Sequence, residues 1–186
     1  KKLRDGKYIA YFQSFTNTYA PVERLNDLFS QAIAPDYIVG LNVATRPDCL
    51  PDEVIALLKR INAVKPVTVE LGLQTIHQAT ADFLRRGYPL SVYDTAVEAL
   101  HRRGIQVITH LILGLPGETE EMVYQTISHV GKRTDGVKLH LLHVLRGTPL
   151  AEDYLAGRYL PLEKEEYVSL VADALERLPA ETVIAR

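Results

Sequence analysis

The stretch that decides the fold is Glu70-Leu-Gly-Leu-Gln74, followed about three helical turns later by Arg85-Arg-Gly87. A second stretch, His110-Leu-Ile-Leu-Gly-Leu-Pro-Gly-Glu-Thr119, completes the pattern. Side chains of a strand alternate between its two faces, so polar groups at every second position share one face. The first stretch therefore predicts a strand with one polar face, and the second predicts a strand that ends in a glycine-rich turn. These are the parts needed to hold a small anionic or zwitterionic cofactor at the mouth of a parallel α/β barrel.

Strands and helices alternate along the rest of the sequence. The predicted strands are 8–15, 37–45, 67–73, 106–113 and 137–144, with a possible sixth at 182–185. Helices fall between them, and Ser91-x-x-Asp94 predicts a capping box for the helix 91–103. Alternation at this spacing is typical of parallel βαβ units with right-handed crossovers.

The alternating polar residues favour a barrel over an open doubly wound sheet. No G-x-G-x-x-G follows the first strand, which weakens the dinucleotide-binding alternative. An open sheet covered by helices on both faces would be apolar at these positions, whereas in a barrel they point into the lumen. The residues concerned are Asn42, Arg46, Glu70, Gln74, His110, Lys138 and His140. We therefore predict one domain over residues 1–186, an α/β barrel with helices on its outer face.

Composition limits the classes of protein that this chain can belong to. The 186 residues include 21 basic and 23 acidic side chains, a net charge of −2, which does not indicate a nucleic-acid or membrane surface. No apolar run approaches the roughly 20 residues that span a bilayer. Cys49 is the single cysteine, which excludes an intrachain disulfide and fits a reducing, cytoplasmic setting. The sequence starts without Met and almost directly in a strand, and we expect it to be a piece of a longer protein.

Glu70 and Gln74 are candidate ligand contacts in the lumen. A carboxylate and an amide on one strand face can bind ribose hydroxyls or an ammonium group, and Gly72 between them lets a ligand approach the backbone. Buried carboxylates are rare in proteins unless they are paired or have a functional role. The alternative is that Glu70 forms a structural ion pair with a lysine such as Lys138.

Arg86, Gly114, Ile112 and His110 are the next candidates. Arg86 could turn back over the strand ends and bind a carboxylate with two hydrogen bonds, or it could be a solvated arginine at a helix end, as we expect for Arg85. The backbone from Gly114 onward could contact a flat ring or a phosphate, with Ile112 as an apolar wall. His110 faces the same side, although a lone strand histidine is more often a core residue.

Two strand ends complete the candidate site. Gln13, Thr16 and Asn17 follow the first strand, where uncharged polar groups could bind an amino-acid moiety; ordinary turn chemistry is the alternative. Arg46 follows the second strand and points the same way as Asn42, with an ordinary loop as its alternative.

Taken together, these residues resemble the radical S-adenosylmethionine (SAM) superfamily, in particular a bacterial branch related to oxygen-independent coproporphyrinogen oxidase and the elongator tRNA-modifying subunit. The resemblance rests on four pieces in order. They are Phe12-Gln-Ser-Phe-Thr-Asn-Thr-Tyr-Ala20, Ala44-Thr-Arg-Pro-Asp48, Glu70-Leu-Gly-Leu-Gln-Thr75 and Leu113-Gly-Leu-Pro-Gly-Glu-Thr119. It implies a partial (βα)6 barrel that carries a [4Fe–4S] cluster and reductively cleaves SAM to methionine and a 5′-deoxyadenosyl radical.

The resemblance also implies roles for the candidate residues. Gln13, Thr16 and Asn17 would contact the methionine amino group, Gln74 and His110 the ribose, and Arg86 the carboxylate. Ile112 and the turn from Gly114 would lie near the adenine, and the role of Glu70 stays open.

The chain departs from the family in lacking the C-x3-C-x2-C-type loop that binds the cluster, so none of its residues is a predicted metal ligand. We expect that it begins after that loop, without the first barrel strand, and that alone it neither assembles a cluster nor turns over. The sheet edge exposed in this way favours self-association. The substrate, whether small molecule, RNA or protein, stays open.

Two other classes stay open as well. One is a cofactor-free barrel lyase or aldolase that uses Lys138 as a Schiff-base amine, with Glu70 or His110 as acid or base. The other is a non-catalytic module that binds a nucleoside-like ligand or a protein partner.

Overall fold

A single parallel sheet forms the centre of the computed structural model, which describes residues 6–185. Within that range the spatial order of the six strands follows the chain. The strands are β1 (Tyr8–Phe12), β2 (Ile38–Thr45), β3 (Val67–Gln74), β4 (Gln106–Leu113), β5 (Gly136–Leu141) and β6 (Val183–Ile184). This order is expected when every βαβ crossover has the same hand and places each new strand beside the last.

The sheet is strongly curved. In a flat sheet β1 and β5 would be four strand spacings of about 4.8 Å apart, roughly 19 Å in all. Instead, the Nζ atom of Lys138 on β5 donates a hydrogen bond to the hydroxyl of Tyr11 on β1 at 2.9 Å. The inner face therefore encloses a lumen, and the predicted partial barrel is confirmed.

Seven helices lie between the strands in the described residues, and most of them pack on the outer face of the sheet. They are α1 (Val22–Ile33), α2 (Asp52–Asn62), α3 (Gln78–Phe83), α4 (Leu90–His101), α5 (Glu120–Gly131), α6 (Pro149–Leu155) and α7 (Lys164–Arg177), and a 3₁₀ turn (Pro47–Cys49) precedes α2. The sequence of α2 shows why these segments are helical. Acidic residues occupy its first turn and basic residues its last turn, which suits the helix dipole. Its buried residues recur at helical spacing on one side.

The hydrophobic core lies between the sheet and these helices. Outward-facing residues of the central strands are almost fully buried, among them Leu41, Leu71, Leu73 and Val107. Leu170 and Ala174 of α7 belong to the same core cluster. Because the apolar residues face outward toward the helices, the polar residues of the same strands are left for the lumen. No helix within residues 6–185 is long and apolar enough to cross a bilayer.

Three local predictions were wrong. The Ser91-x-x-Asp94 capping box does not form, because α4 begins at Leu90 with Pro89 as its N-cap residue, which puts Ser91 inside the first turn. The first strand stops at Phe12, since Phe15 has a left-handed φ of 64°. The fifth strand ends at Leu141 rather than at residue 144, and the segment 142–148 leads into α6 as a loop.

Candidate functional site

A cavity of about 400 Å³ opens at the carboxyl ends of the strands, where a parallel barrel places its active site. This volume lies within the range of small-molecule sites. Its lining includes four predicted site residues, namely Gln13, Arg46, Glu70 and His110, together with Gly72, Lys138 and His140. The other predicted site residues, among them Gln74, Arg86, Ile112 and Gly114, are not in the lining. Residues from β1 to β5 thus meet in one place, as the alternating polar pattern predicts.

Glu70 lies at the floor of this cavity and accepts four hydrogen bonds. Its Oε2 atom accepts from the Tyr11 hydroxyl at 2.6 Å, from His110 Nε2 at 2.7 Å and from Lys138 Nζ at 2.7 Å. Its Oε1 atom accepts from Asn42 Nδ2 at 3.1 Å. The ion pair with Lys138, given above as the alternative interpretation of Glu70, is therefore present.

These contacts decide the charge of the cluster. Burial alone would raise the pKa of Glu70, but the hydrogen bonds from His110, Lys138 and Tyr11 outweigh burial and lower the pKa to about 2. Burial would likewise lower the pKa of Lys138, yet its hydrogen bonds to Glu70 and Tyr11 leave that pKa raised. A Schiff-base lysine needs a lowered pKa. The geometry therefore does not favour the lyase alternative.

Arg86 is buried, not solvated, and it is not among the residues that line the cavity. Only 5% of the residue is exposed. Its Nε atom donates to the carbonyl of Tyr88 at 3.1 Å, and its Nη1 atom donates to the carbonyls of Leu73 at 3.1 Å and Thr75 at 2.6 Å. Its Nη2 atom is buried and has no hydrogen-bond partner within residues 6–185. Its neighbour Arg85 is exposed, as predicted.

An unpartnered guanidinium nitrogen in a buried position is a strong indication of a ligand. Leaving a buried charged donor unsatisfied costs free energy, and natural proteins rarely do so without a reason. No carboxylate forms an ion pair with Arg86 in the part of the chain that the structure describes. A ligand carboxylate would supply both the missing acceptor and the missing charge.

Tyr88 connects Arg86 to the cavity wall. The centre of its ring lies 4.9 Å from the guanidinium carbon of Arg86 and 5.2 Å from that of Arg46. Its hydroxyl donates to the carbonyl of Gly72, which lines the cavity. Burial raises the pKa of Tyr88 to about 12, so the phenol keeps its proton. Arg46 is itself paired with Asp48 through two hydrogen bonds of 2.9 and 2.7 Å.

Gln74 folds back over Gly72. It has a left-handed φ of 68°, and the pairing of β3 with β4 shifts register between Gly72 and Gln74. A Cβ atom at position 72 would lie only 2.8 Å from Gln74 Nε2. The absence of a side chain at Gly72 therefore makes room for the Gln74 amide.

The turn at Gly114 is covered by the segment between α6 and α7. Gly114 has a φ of 80°, and its carbonyl accepts a hydrogen bond from the Tyr159 hydroxyl at 2.8 Å. A Cβ atom there would lie 3.1 Å from the Leu162 side chain. Ile112 lies on the same strand face as His110 and is half-buried. The adenine contacts assigned to Ile112 and Gly114 stay predictions.

Asn17 holds a loop in place. Its Nδ2 atom donates to the carbonyl of Phe12 at 3.0 Å and to that of Ala44 at 2.9 Å, which ties the loop after β1 to the end of β2. The backbone carbonyl of Thr16 accepts from Tyr19 in a turn. Neither Thr16 nor Asn17 lines the cavity, in contrast to Gln13. Contact of these three residues with a methionine amino group remains a prediction.

Sequence reasoning did not single out Tyr11 and Tyr88. Tyr11 lies two residues before Gln13, so the period of two on β1 was an available signal. Tyr88 carries no such signal, because its position depends on how the loop after α3 returns to the strand end.

The donor set does not fit an iron–sulfur cluster. Such clusters take three or four cysteine ligands, and Cys49 is the single cysteine, half-buried in the 3₁₀ turn. No group of three metal-ligating side chains occurs within residues 6–185. A ligand that carries a carboxylate, as SAM does, would fit the buried Arg86 Nη2 atom, which has no acceptor within residues 6–185.

Family models match nearly the whole chain. Residues 3–130 match the model of the radical SAM superfamily, and residues 134–186 match that of a radical SAM C-terminal domain. Members of this family are enzymes that use SAM in radical chemistry.

Individual relatives extend the comparison. YtqA of Bacillus subtilis (strain 168) is 46% identical over 187 residues, which cover 100% of this chain and 58% of that protein. A tRNA uridine(34) acetyltransferase of Methanocaldococcus jannaschii is 30% identical over 145 residues, which cover 76% of this chain and 26% of that protein. The chain thus spans about three fifths of the length of YtqA.

A solved structure shows the same fold. The structure of Elp3 from Methanocaldococcus infernus, with an N-terminal deletion, superposes with a TM-score of 0.85 at 22% identity. The superposition covers 98% of this chain and 48% of that one.

Proposed function

This chain belongs to the radical SAM superfamily, and we propose that it forms the SAM-binding wall of its enzyme. In the whole protein, reductive cleavage of SAM at a [4Fe–4S] cluster would supply a 5′-deoxyadenosyl radical for hydrogen abstraction. The cluster ligands are not among the residues of this chain. The residues of the chain would hold and orient SAM.

The unpartnered Nη2 atom of Arg86 carries this proposal. With its Nε and Nη1 atoms fixed by three backbone carbonyls, the guanidinium is held in one orientation. A carboxylate bound at Nη2 would therefore meet a preorganised donor, which lowers the entropic cost of binding. In this proposal Gln74, whose amide nitrogen lies close to Gly72, contacts the ribose.

Equilibrium binding of SAM to the wild-type chain and to Arg86→Gln tests the proposal. We expect the variant to bind SAM at least tenfold more weakly, since it loses a charge-assisted hydrogen bond. Arg85→Gln is the matched control, because it removes the same charge from an exposed neighbour, and it should bind like the wild type. Equal affinities of Arg86→Gln and the wild type, with both proteins folded by circular dichroism, would contradict the proposal.

We further propose that the substrate of the whole protein is tRNA. One relative, 30% identical over 76% of this chain, bears the name tRNA uridine(34) acetyltransferase. Two large aromatic side chains on the loop after β1 support the idea: Phe15 is 98% exposed and lines the cavity mouth, and Tyr19 is 82% exposed. Proteins recognise unstacked RNA bases by stacking them on such rings.

Binding of fluorescently labelled tRNA tests this part of the proposal. Replacement of Phe15 and Tyr19 by alanine should weaken tRNA binding about tenfold, the size of the loss of one or two stacked bases. Tyr37→Ala, which removes an exposed tyrosine before β2 at the opposite end of the barrel, should leave binding unchanged. An equal loss of tRNA affinity in the Phe15 and Tyr19 double variant and in Tyr37→Ala would mean that Phe15 and Tyr19 do not bind RNA.

A further inference from the structure

The turn after β3 is linked to the loop after β4 by one buried hydroxyl. Thr75 is fully buried, and its Oγ1 atom donates to Oε1 of Glu118 at 2.5 Å. The same oxygen accepts from the backbone N–H of His77 at 3.1 Å. Thr75 and Glu118 thus form a link between two loops at the cavity end of the sheet.

The turn that this link holds also orients Arg86. The carbonyls of Leu73 and Thr75, on either side of Gln74, both accept from Arg86 Nη1. Gln74 between them has a left-handed φ, which a residue with a side chain keeps only where surrounding contacts hold it. A shift of Thr75 would therefore move one of the carbonyls that fix the guanidinium.

Other contacts keep the turn attached to α5 when the link is broken. His77 bonds through Nε2 to the carbonyl of Met122 at 2.9 Å. The backbone N–H of Ile76 donates to the Thr126 hydroxyl at 3.4 Å. Loss of the link should thus alter the precise position of the turn and not unfold it.

We infer that Glu118 and Thr75 are positioning residues that hold Arg86 toward the carboxylate of SAM. The inference rests on the proposed function, because it concerns the same carboxylate. Neither residue touches the ligand itself. Their effect passes through the carbonyl of Thr75 to the guanidinium.

Two ligands separate this role from a general structural one. SAM carries the carboxylate, whereas 5′-methylthioadenosine has the same nucleoside and lacks it. We expect Thr75→Val and Glu118→Ala to bind SAM about tenfold more weakly, the size of one charge-assisted hydrogen bond, and to bind 5′-methylthioadenosine like the wild type. Thr75→Ser keeps the hydroxyl and should restore SAM affinity. Glu120→Ala removes an exposed carboxylate two residues from Glu118 and should have no effect.

The outcomes distinguish the inference from the proposed function. Suppose that Thr75→Val and Glu118→Ala weaken the binding of SAM and of 5′-methylthioadenosine equally, or that they weaken the binding of neither ligand. Glu118 and Thr75 then do not act on Arg86, and the inference fails. If the wild type binds SAM no more tightly than 5′-methylthioadenosine, Arg86 does not bind the carboxylate and the proposed function itself fails. Should Thr75→Val not fold, Glu118→Ala carries the same test, because Glu118 is only half-buried.

Discussion

At the scale of single residues, Glu70 shows how a charge is accommodated in the lumen. The residue is 1% exposed, and a carboxylate at such depth is costly unless its oxygens are bonded. Donors from four other strands supply these bonds, namely Tyr11, Asn42, His110 and Lys138. The same contacts keep the carboxylate ionised, so Glu70 is poorly suited to exchange protons near neutral pH.

The low pKa of Glu70 predicts a loss of stability in acid. A folded-state pKa lowered from 4.5 to about 2 stabilises the fold above the unfolded pKa, by roughly 3 kcal/mol, and this contribution is lost as pH falls from about 5 toward 2. Urea unfolding of the wild type and Glu70→Gln between pH 5.5 and 3.5 measures it. The wild type should be the more stable at pH 5.5, and the difference should shrink as pH falls.

Glu176→Gln serves as the control, because it removes an exposed carboxylate of α7. Its unfolding free energy should follow the wild type across the same pH range. If the difference in unfolding free energy between the wild type and Glu70→Gln stays constant with pH, protonation of Glu70 is not the cause of the loss of stability in acid.

At the scale of elements, the pairing of β5 with β6 depends on Gly136. A Cβ atom at this position would lie 2.7 Å from the carbonyl oxygen of Val183 and 3.1 Å from its Cβ atom. A backbone atom cannot move aside as a flexible side chain can. The close approach of Val183 to β5 at this position therefore requires a residue without a side chain.

Gly136→Ala is expected to detach β6. The unfolding free energy should fall by about 1–3 kcal/mol, the usual cost of overpacking. Hydrogen exchange at Ala185, whose N–H donates to the carbonyl of Val137, should become faster. Gly72→Ala is the control for stability, since its Cβ atom would meet the movable Gln74 amide. Unchanged exchange at Ala185 in Gly136→Ala would contradict this account.

The elements also show what a sequence can predict here. The period of two on β3 and β4 correctly predicted a common face for Glu70 and His110, because alternation is a property of any strand. The strand end at Phe12 was missed, since it depends on the left-handed backbone of Phe15. The contact of Tyr11 with Lys138 was missed because it depends on the curvature of the whole sheet, which local periodicity does not record. Arg86 was identified because it follows Gln74 by about three helical turns in the sequence, but this spacing does not show whether its side chain is buried.

At the scale of the whole molecule, the curvature gathers side chains from five strands around one carboxylate. The polar residues of the strands point into the lumen, and the apolar residues point outward and pack under the helices. Self-association through the edge of β1 remains a prediction.

The hydrogen bond between Tyr11 and Lys138 joins residues 127 positions apart. A nascent chain cannot form it until β5 has been synthesised, whereas α1 and the β1–β2 pair can form much earlier. Contacts at such long sequence separation carry a large entropic cost in early folding. We therefore expect closure of the lumen to be a late event in folding, in which the carboxylate of Glu70 gains the ammonium group of Lys138 only after the fifth strand has been synthesised.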